Sequence, residues 1–308
     1  MTLQQMEYVV AVDQHRHFAK AAEACGVTQS TLSSMIQKLE IELDMQLFDR
    51  NAHPVRPTGP GEEIIRQARV VLFHASQLKE MAVAERELAS GEVKLGIIPT
   101  VAPYILPRFF RKMHEQYPDI KLRVVESQSS SLIGRLERAE LDMALMTVPC
   151  GHPDMLEIPV YREHLLAYVS PGEDLFGQAQ IDINSLPTHH LWVLQEGHCL
   201  RNQVLNFCEK RSDYASIYEA GSIETLVKIV DENGGYTIIP ELHVGLLRKC
   251  QQQQIRKLVN PEPYRELALV IRRDYVRERI LNHIAGALAE IVPARMVDSR
   301  LKRFSVRI

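Results

Sequence analysis

The chain has 308 residues, 36 lysines and arginines against 39 aspartates and glutamates, a formal net charge of −3, and 45% hydrophobic and 24% charged residues. This is the composition of an ordinary soluble protein with length for two domains of roughly 100–200 residues each, and no window approaches the roughly 18 unbroken apolar residues of a membrane span. The amino terminus lacks a basic start, an apolar run and a small-residue cleavage site, so a cytoplasmic location is expected, and the slight acidity argues against nucleic acid unless cations are placed locally.

The first ninety residues read as helices, interrupted by the stretch NAHPVRPTGPG (51–61), which is dense in turn formers. Within them, Phe18 to Ala24 reads as a helix, Cys25-Gly26-Val27 as a tight turn, and Thr28 as the cap of a second helix with Leu32, Met35, Ile36 and Leu39 on one face. This is a helix-turn-helix pattern, although an ordinary capped helix hairpin carries the same residues. Its second helix exposes Gln29, Ser30, Thr31, Ser33, Ser34 and Lys38, whose side chains suit base edges and phosphates in a major groove. Arg50, His53 and Arg56 frame the Pro/Gly-rich loop, placed to reach the DNA backbone as a wing does, or simply to be solvated.

Residues 1–60 hold five cations (Arg16, Lys20, Lys38, Arg50, Arg56) and seven acids (Glu7, Asp13, Glu23, Glu40, Glu42, Asp44, Asp49). DNA affinity must therefore come from placement and multiplicity. Ile64, Ala68, Val71, Ala75, Leu78 and Ala82 alternate four and three apart, the spacing of a coiled-coil seam and equally of a short amphipathic helix. A dimer built on them presents two reading helices and doubles the phosphate contacts.

From Gly91 onward the pattern changes. EVKLGIIP, KLRVVES, LDMALMTVP, HLLAYVSP, LWVLQEG, YTIIPE and LALVIRR are short apolar runs separated by helical stretches, which predicts parallel βαβ units in an α/β domain. The expected division is 1–60, a winged helix-turn-helix; 61–90, a linker and dimerisation helix; and 91–308, a regulatory domain.

The run FxxAAxxxxVTQSTLSxxIxxLExxLxxxLFxR from Phe18 to Arg50, with the order of elements after it, resembles the LysR-type transcriptional regulators over essentially the whole chain. The resemblance implies a DNA-binding regulator rather than an enzyme. It also implies double-stranded promoter DNA and RNA polymerase as partners, a homo-oligomer such as a dimer of dimers, and a sensing domain shaped like periplasmic binding proteins, with two α/β lobes around a cleft. In such a domain the usual signal is a small organic effector.

Another signal is legible in EGHCLRNQVLNFCEKR. It places Cys199 after a Gly, near the start of an amphipathic helix, with His198 before it and Arg201 nearby. Helix starts and adjacent cations favour a thiolate, the nucleophilic form. Cys208 lies nine residues on; in a helix that is roughly 13.5 Å along the axis and on the opposite face, beyond the roughly 7 Å that a disulfide allows between Cα atoms. A bond between them requires the helix to unwind, while spacing alone leaves open that the two thiols are unrelated. GHCLRxQxxxFC resembles the redox motif of the hydrogen-peroxide-sensing activators of the same family, and IIPTVAPYILP and SIETL follow their pattern. That resemblance implies Cys199 as the peroxidatic thiol, Cys208 as its resolving partner, and glutaredoxin or thioredoxin as reductant. It carries peroxide-binding roles to Thr100, His198 and Arg265, with Ser129 in place of the usual Thr and Asn202 in place of a common Asp. A thiol peroxidase that turns over peroxide is a third reading, which leaves the helix-turn-helix without a purpose.

Five cysteines (Cys25, Cys150, Cys199, Cys208, Cys250) with no Cys-x-x-Cys pair point to neither a structural disulfide framework nor a zinc site, and no carboxylate or thiol near His189 and His190 completes metal-ligand spacing. No metal or cofactor is expected. Cys25, at the helix-turn-helix bend, reads as a small buried hydrophobe.

Overall fold

The structure, a computed structural model, describes residues 1–84, 91–187, 189–207 and 219–300. It divides into two compact units, one starting at Met1 and a larger one starting at Ala89.

In the first unit, α1 (Leu3–His15) opens with a capping box: Thr2 Oγ1 accepts from Gln5 N, and the Gln5 side chain accepts from Thr2 N. Helix α2 (Phe18–Ala24) is capped by the His17 ring, and the turn after it passes through Gly26 at φ +66°, a conformation that favours glycine. Helix α3 (Gln29–Leu43) starts at Thr28, whose hydroxyl accepts from Thr31 N at 3.2 Å. Leu32, Ile36 and Leu39 turn one face of α3 into the core, against Val9, Val12, Ala21 and Phe48, while Met35 is half-buried at its edge. Each such burial removes apolar surface worth about 1.5–3 kcal/mol from water.

The turn-rich stretch closes a two-stranded ribbon, β1 (Phe48–Asp49) against β2 (Arg56–Pro57), at the place expected for the wing. Helix α4 (Gly59–Ala84) follows; its start packs on α1, with Ile65 in the core and Arg69 paired to Asp13 at 2.5 Å. Farther along α4, Val71 and Leu78 are 40% and 68% exposed. Ala82, the last position of the expected seam, lies outside the described side chains.

The second unit has two lobes on one curled sheet of order β4-β3-β5-β12-β6-β11-β7. The first lobe holds β3 (Gly91–Ile97), α5 (Ala102–Gln116), β4 (Ile120–Glu126), α6 (Ser129–Glu137) and β5 (Met143–Val148), and then the long strand β6 (Met155–Val169) begins. The second lobe holds β7 (Gln180–Asp182), β8 (Val193–Leu194), α7 (Cys199–Phe207), β9 (Glu219–Ala220), α8 (Ile223–Asn233), β10 (Tyr236–Pro240), α9 (Lys249–Gln252) and β11 (Ile255–Val259). Strand β12 (Tyr264–Arg272) returns to the first lobe, and α10 (Glu278–Ile291) packs on α5.

Each of the seven apolar runs contains a strand, but the sheet is mixed rather than parallel. β3, β4 and β5 are parallel, whereas β6 pairs antiparallel with β12, β10 and β11. The reason is β6 itself: its first half pairs with β12 in one lobe and its second half with β10 in the other, so the crossing strands run as long antiparallel neighbours. Among the described residues, no helix is long and apolar enough to cross a membrane, and no group of three His, Cys, Asp or Glu is placed to hold a metal ion.

Candidate thiol site and nucleic-acid interface

Parallel strands deliver two hydroxyls to one edge of the first lobe. Ile97 and Glu126 are register partners at the carboxyl ends of β3 and β4, and Thr100 and Ser129 each lie three residues beyond them. β3 sits between β4 and β5, so the chain winds in both directions from it, the arrangement at which open α/β sheets bind ligands.

The second lobe contributes the sulfur. Gly197 has φ +94°, a conformation that favours glycine, and the Gln128 side-chain amide lies against it at the start of α6. Gln128 Nε2 donates to Glu196 O at 3.2 Å, and one turn of chain later Cys199 Sγ lies 2.8 Å from Ser129 Oγ. Ser129 is buried and Cys199 half-buried. Each is the first residue of its nine-residue helix, so the positive ends of two helix dipoles converge on the sulfur.

The flanking cations expected from the sequence are a different matter. His198 is buried, and burial pushes its imidazole below the usual range, so it is neutral and offers hydrogen bonds rather than charge. Arg201 Nη1 donates to the Leu194 carbonyl at 3.2 Å.

Thr100 caps nothing: α5 starts after Val101 without a side-chain cap. Its hydroxyl instead accepts from Arg265 Nη1 at 2.8 Å, and its carbonyl from Arg265 Nη2 at 3.0 Å. Arg265 is no surface charge; it is buried, with Nε donating to Glu163 Oε1 at 2.9 Å. Burial opposes the guanidinium charge, but Tyr104 and Glu163 beside it hold it protonated above its usual range. Burial likewise pushes the Tyr104 phenol well above its usual range, Arg265 opposing and Glu163 adding, so it remains a neutral donor to Glu163 Oε1 at 2.7 Å.

The hydrogen bonds thus join Thr100 to Arg265 and Ser129 to Cys199. Asn202 is exposed one turn along α7, and Cys208 lies outside the described residues. Of the described cysteines, none is in a disulfide; Cys25, expected to be buried, is half-buried against the first unit's core, and burial, with Glu7 adding, raises its thiol.

Two residues of this site, Glu163 and Tyr104, were not foreseen. A signal for Glu163 exists: Tyr161, Glu163 and Leu165 face inward while Arg162 and His164 are exposed, so Glu163 is an acid at an inward position of an alternating strand, directly opposite Arg265.

In the first unit, Gln29, Ser30, Thr31, Ser34 and Lys38 are exposed along α3, and Arg56 is exposed on the ribbon. Arg50 is exposed as well and Ser33 half-buried, and the two are hydrogen-bonded to each other. Arg50 Nη2 pairs with Glu40 Oε2 at 2.8 Å, its Nη1 donates to Ser33 Oγ at 3.3 Å, and its guanidinium lies 5.3 Å from the Phe18 ring centroid. This arginine braces the reading helix against the ribbon. Glu40 completes the brace by accepting from Leu47 N at 2.8 Å.

Comparison with known proteins covers both units. Residues 3–62 match the family model described as bacterial regulatory helix-turn-helix protein, lysR family, and residues 86–292 match the LysR substrate binding domain. The chain is 35% identical over 298 residues to the DNA-binding transcriptional dual regulator OxyR of Escherichia coli K12, covering 96% of each. It is 34% identical to the hydrogen peroxide-inducible genes activator of Haemophilus influenzae, covering 95% of this chain and 97% of that one. Among solved structures, a full-length OxyR variant from Pseudomonas aeruginosa is similar with a TM-score of 0.81 at 31% identity, over 94% of this chain and 98% of that one. A hydrogen-peroxide-bound OxyR mutant from Corynebacterium glutamicum is similar with a TM-score of 0.63 at 28% identity, over 94% and 92%.

Proposed function

The chain belongs to the LysR family of bacterial regulatory helix-turn-helix proteins, and from that premise we propose that it is a peroxide-responsive transcriptional activator switched at Cys199. The observation that carries the reading is the thiol at the first turn of α7, hydrogen-bonded across the lobes to Ser129 at 2.8 Å and facing a second helix start. In the first step a sulfur lone pair of the Cys199 thiolate forms an S–O bond with one peroxide oxygen. The O–O bond breaks, and the other oxygen leaves as hydroxide and is protonated to water. The second thiolate, Cys208 in this reading, displaces hydroxide from the sulfenic acid to give the disulfide, and a dithiol reductant resets it by two electrons. Ser129, Thr100, His198, Asn202 and Arg265 are assigned to hold peroxide or its products, by hydrogen bonds and, at Arg265, by charge.

The output side rests on the exposed row of α3 with Lys38 and Arg56, presented twice by a dimer whose seam includes Val71 and Leu78. Peptide mapping after limiting peroxide, paired with promoter footprints, tests the whole assignment. The expected result is a Cys199–Cys208 disulfide with an altered footprint, and oxidation confined to other cysteines would overturn the site. A second reading, a small organic effector between the lobes, draws on the Thr147 hydroxyl near the carboxyl end of β5, which is buried without a partner among the described residues. Calorimetry against metabolites separates it, because it requires heat on metabolite addition and no response to peroxide.

A further inference from the structure

At the centre of the sensing unit lies an ion pair with neither member exposed: the Glu163 and Arg265 side chains are both 0% accessible. Taking each ion out of water costs several kcal/mol unless its remaining groups are hydrogen-bonded, and well-packed apolar residues of similar volume avoid that cost. The network around the pair is complete on the carboxylate side. Glu163 Oε1 accepts from Arg265 Nε at 2.9 Å and from the Tyr104 hydroxyl at 2.7 Å, and Oε2 accepts from Leu242 N at 3.3 Å. Donors arrive from β12, α5 and the turn after β10, so the carboxylate is held from both lobes.

The arginine side is filled except at one point. A guanidinium has five N–H donors. Nε uses one on Glu163, Nη2 uses two on Thr100 O at 3.0 Å and Tyr104 Oη at 2.6 Å, and Nη1 uses one on Thr100 Oγ1 at 2.8 Å. Among the described residues, the second Nη1 hydrogen has no acceptor. Because Thr100 Oγ1 receives a hydrogen from Arg265, its own hydroxyl hydrogen is directed away from the guanidinium. Two donors, one of them on a charged group, thus belong to heavy atoms 2.8 Å apart and have no acceptor among the described residues.

We infer that Glu163 and Tyr104 are positioning residues for the peroxide reaction. They clamp Arg265 so that its last Nη1 hydrogen and the Thr100 hydroxyl both face the oxygen that departs when the O–O bond breaks. This rests on the peroxide reading above and extends it to residues that do not touch peroxide. Arg265 stays protonated throughout; it stabilises the departing hydroxide by hydrogen bonding, and solvent supplies the proton that makes it water. Preorganised donors aimed at developing charge are among the largest contributions to rate in enzymes, and losing one typically costs about 100-fold or more. Loosening one through its support costs less.

The test uses the full-length chain and two electrophiles, with modification read at Cys199 by peptide mapping. Hydrogen peroxide expels hydroxide, which needs the donors. Iodoacetamide expels iodide, which does not, and so reports the accessibility and nucleophilicity of the thiol alone. E163Q is expected to lower the ratio of peroxide to iodoacetamide rate constants about tenfold or more, and Y104F about threefold, with the iodoacetamide rate within about twofold of wild type. Thermal melting establishes that each variant is folded; if E163Q is not, Y104F decides. Unchanged ratios, or both rates falling together as a purely structural defect requires, overturn the inference while a reactive wild-type Cys199 leaves the peroxide reading standing. A wild-type Cys199 that iodoacetamide alkylates and peroxide does not touch removes both.

Discussion

The Cys199 sulfur lies where the starts of two helices meet. Of the side chains beside it in sequence, His198 is neutral through burial and Arg201 donates to the Leu194 carbonyl. Ser129→Ala removes the hydroxyl at 2.8 Å and is expected to slow Cys199 oxidation roughly fivefold, the equivalent of about 1 kcal/mol for one hydrogen bond. Ser129→Thr restores the hydroxyl and should return the wild-type rate in stopped-flow measurement. Protonation acts on the same scale. Burial holds His198, His243 and His283 below the usual imidazole range, with Glu224 opposing and Arg265 adding at His243, and Arg279 adding at His283. The unfolded chain, with histidines near about 6.5, binds more protons below that pH than the folded one. The stabilisation from these groups is therefore full above about pH 6.5 and is lost as pH falls through the folded values. Melting temperature should decline from pH 7.5 to 5.5. His243→Leu should flatten the decline, because it removes a buried imidazole whose Nδ1 has no partner among the described residues. A flat profile for the wild type contradicts the assignment.

Helix α3 shows how local chemistry and packing divide the work within one element. Thr28 fixes where it starts, so Thr28→Ala is expected to cost about 1 kcal/mol, seen as a lower denaturant midpoint for the first unit. Ile36 is fully buried under it, and Ile36→Ala is expected to cost about 2–5 kcal/mol and abolish specific DNA binding along with the fold of the unit. The ribbon β1–β2 was invisible to periodicity because two residues per strand cannot alternate, and only the Pro/Gly-rich composition marked the place. The first half of β6 escaped for a related reason: Pro159 and Glu163 interrupt its apolar run, and both are tolerated because β6 has β12 beside it and Glu163 has Arg265 opposite. In α4 the seam positions behave unequally. Ala68 is buried, while Val71 and Leu78 are exposed.

For the molecule as a whole, the −3 charge ceases to be an obstacle once its placement is known. Glu40 is paired to Arg50, Asp13 to Arg16 and Arg69, and Glu42 to the amino terminus, while residues 29–38 carry no acid. A single reading unit still has few cations, so affinity should depend on the dimer. The double variant Val71→Asp, Leu78→Asp is expected to sediment at half the mass of wild type and to bind promoter DNA with about half the slope of log affinity against log salt, since half the phosphate contacts are lost. An unchanged mass and slope would place the dimer seam elsewhere. The helix-turn-helix, the capped reading helix, the change to α/β structure at Gly91 and the thiol at a helix start are all written in short-range spacing and capping residues, which act over a few positions. The mixed sheet, the pairing of Arg265 with Glu163 and the meeting of Ser129 with Cys199 arise at the level of the fold, because residues 70 and 102 apart in the chain become neighbours only when strands cross between lobes. A spacing rule has no reach over such distances, whereas a strand register has.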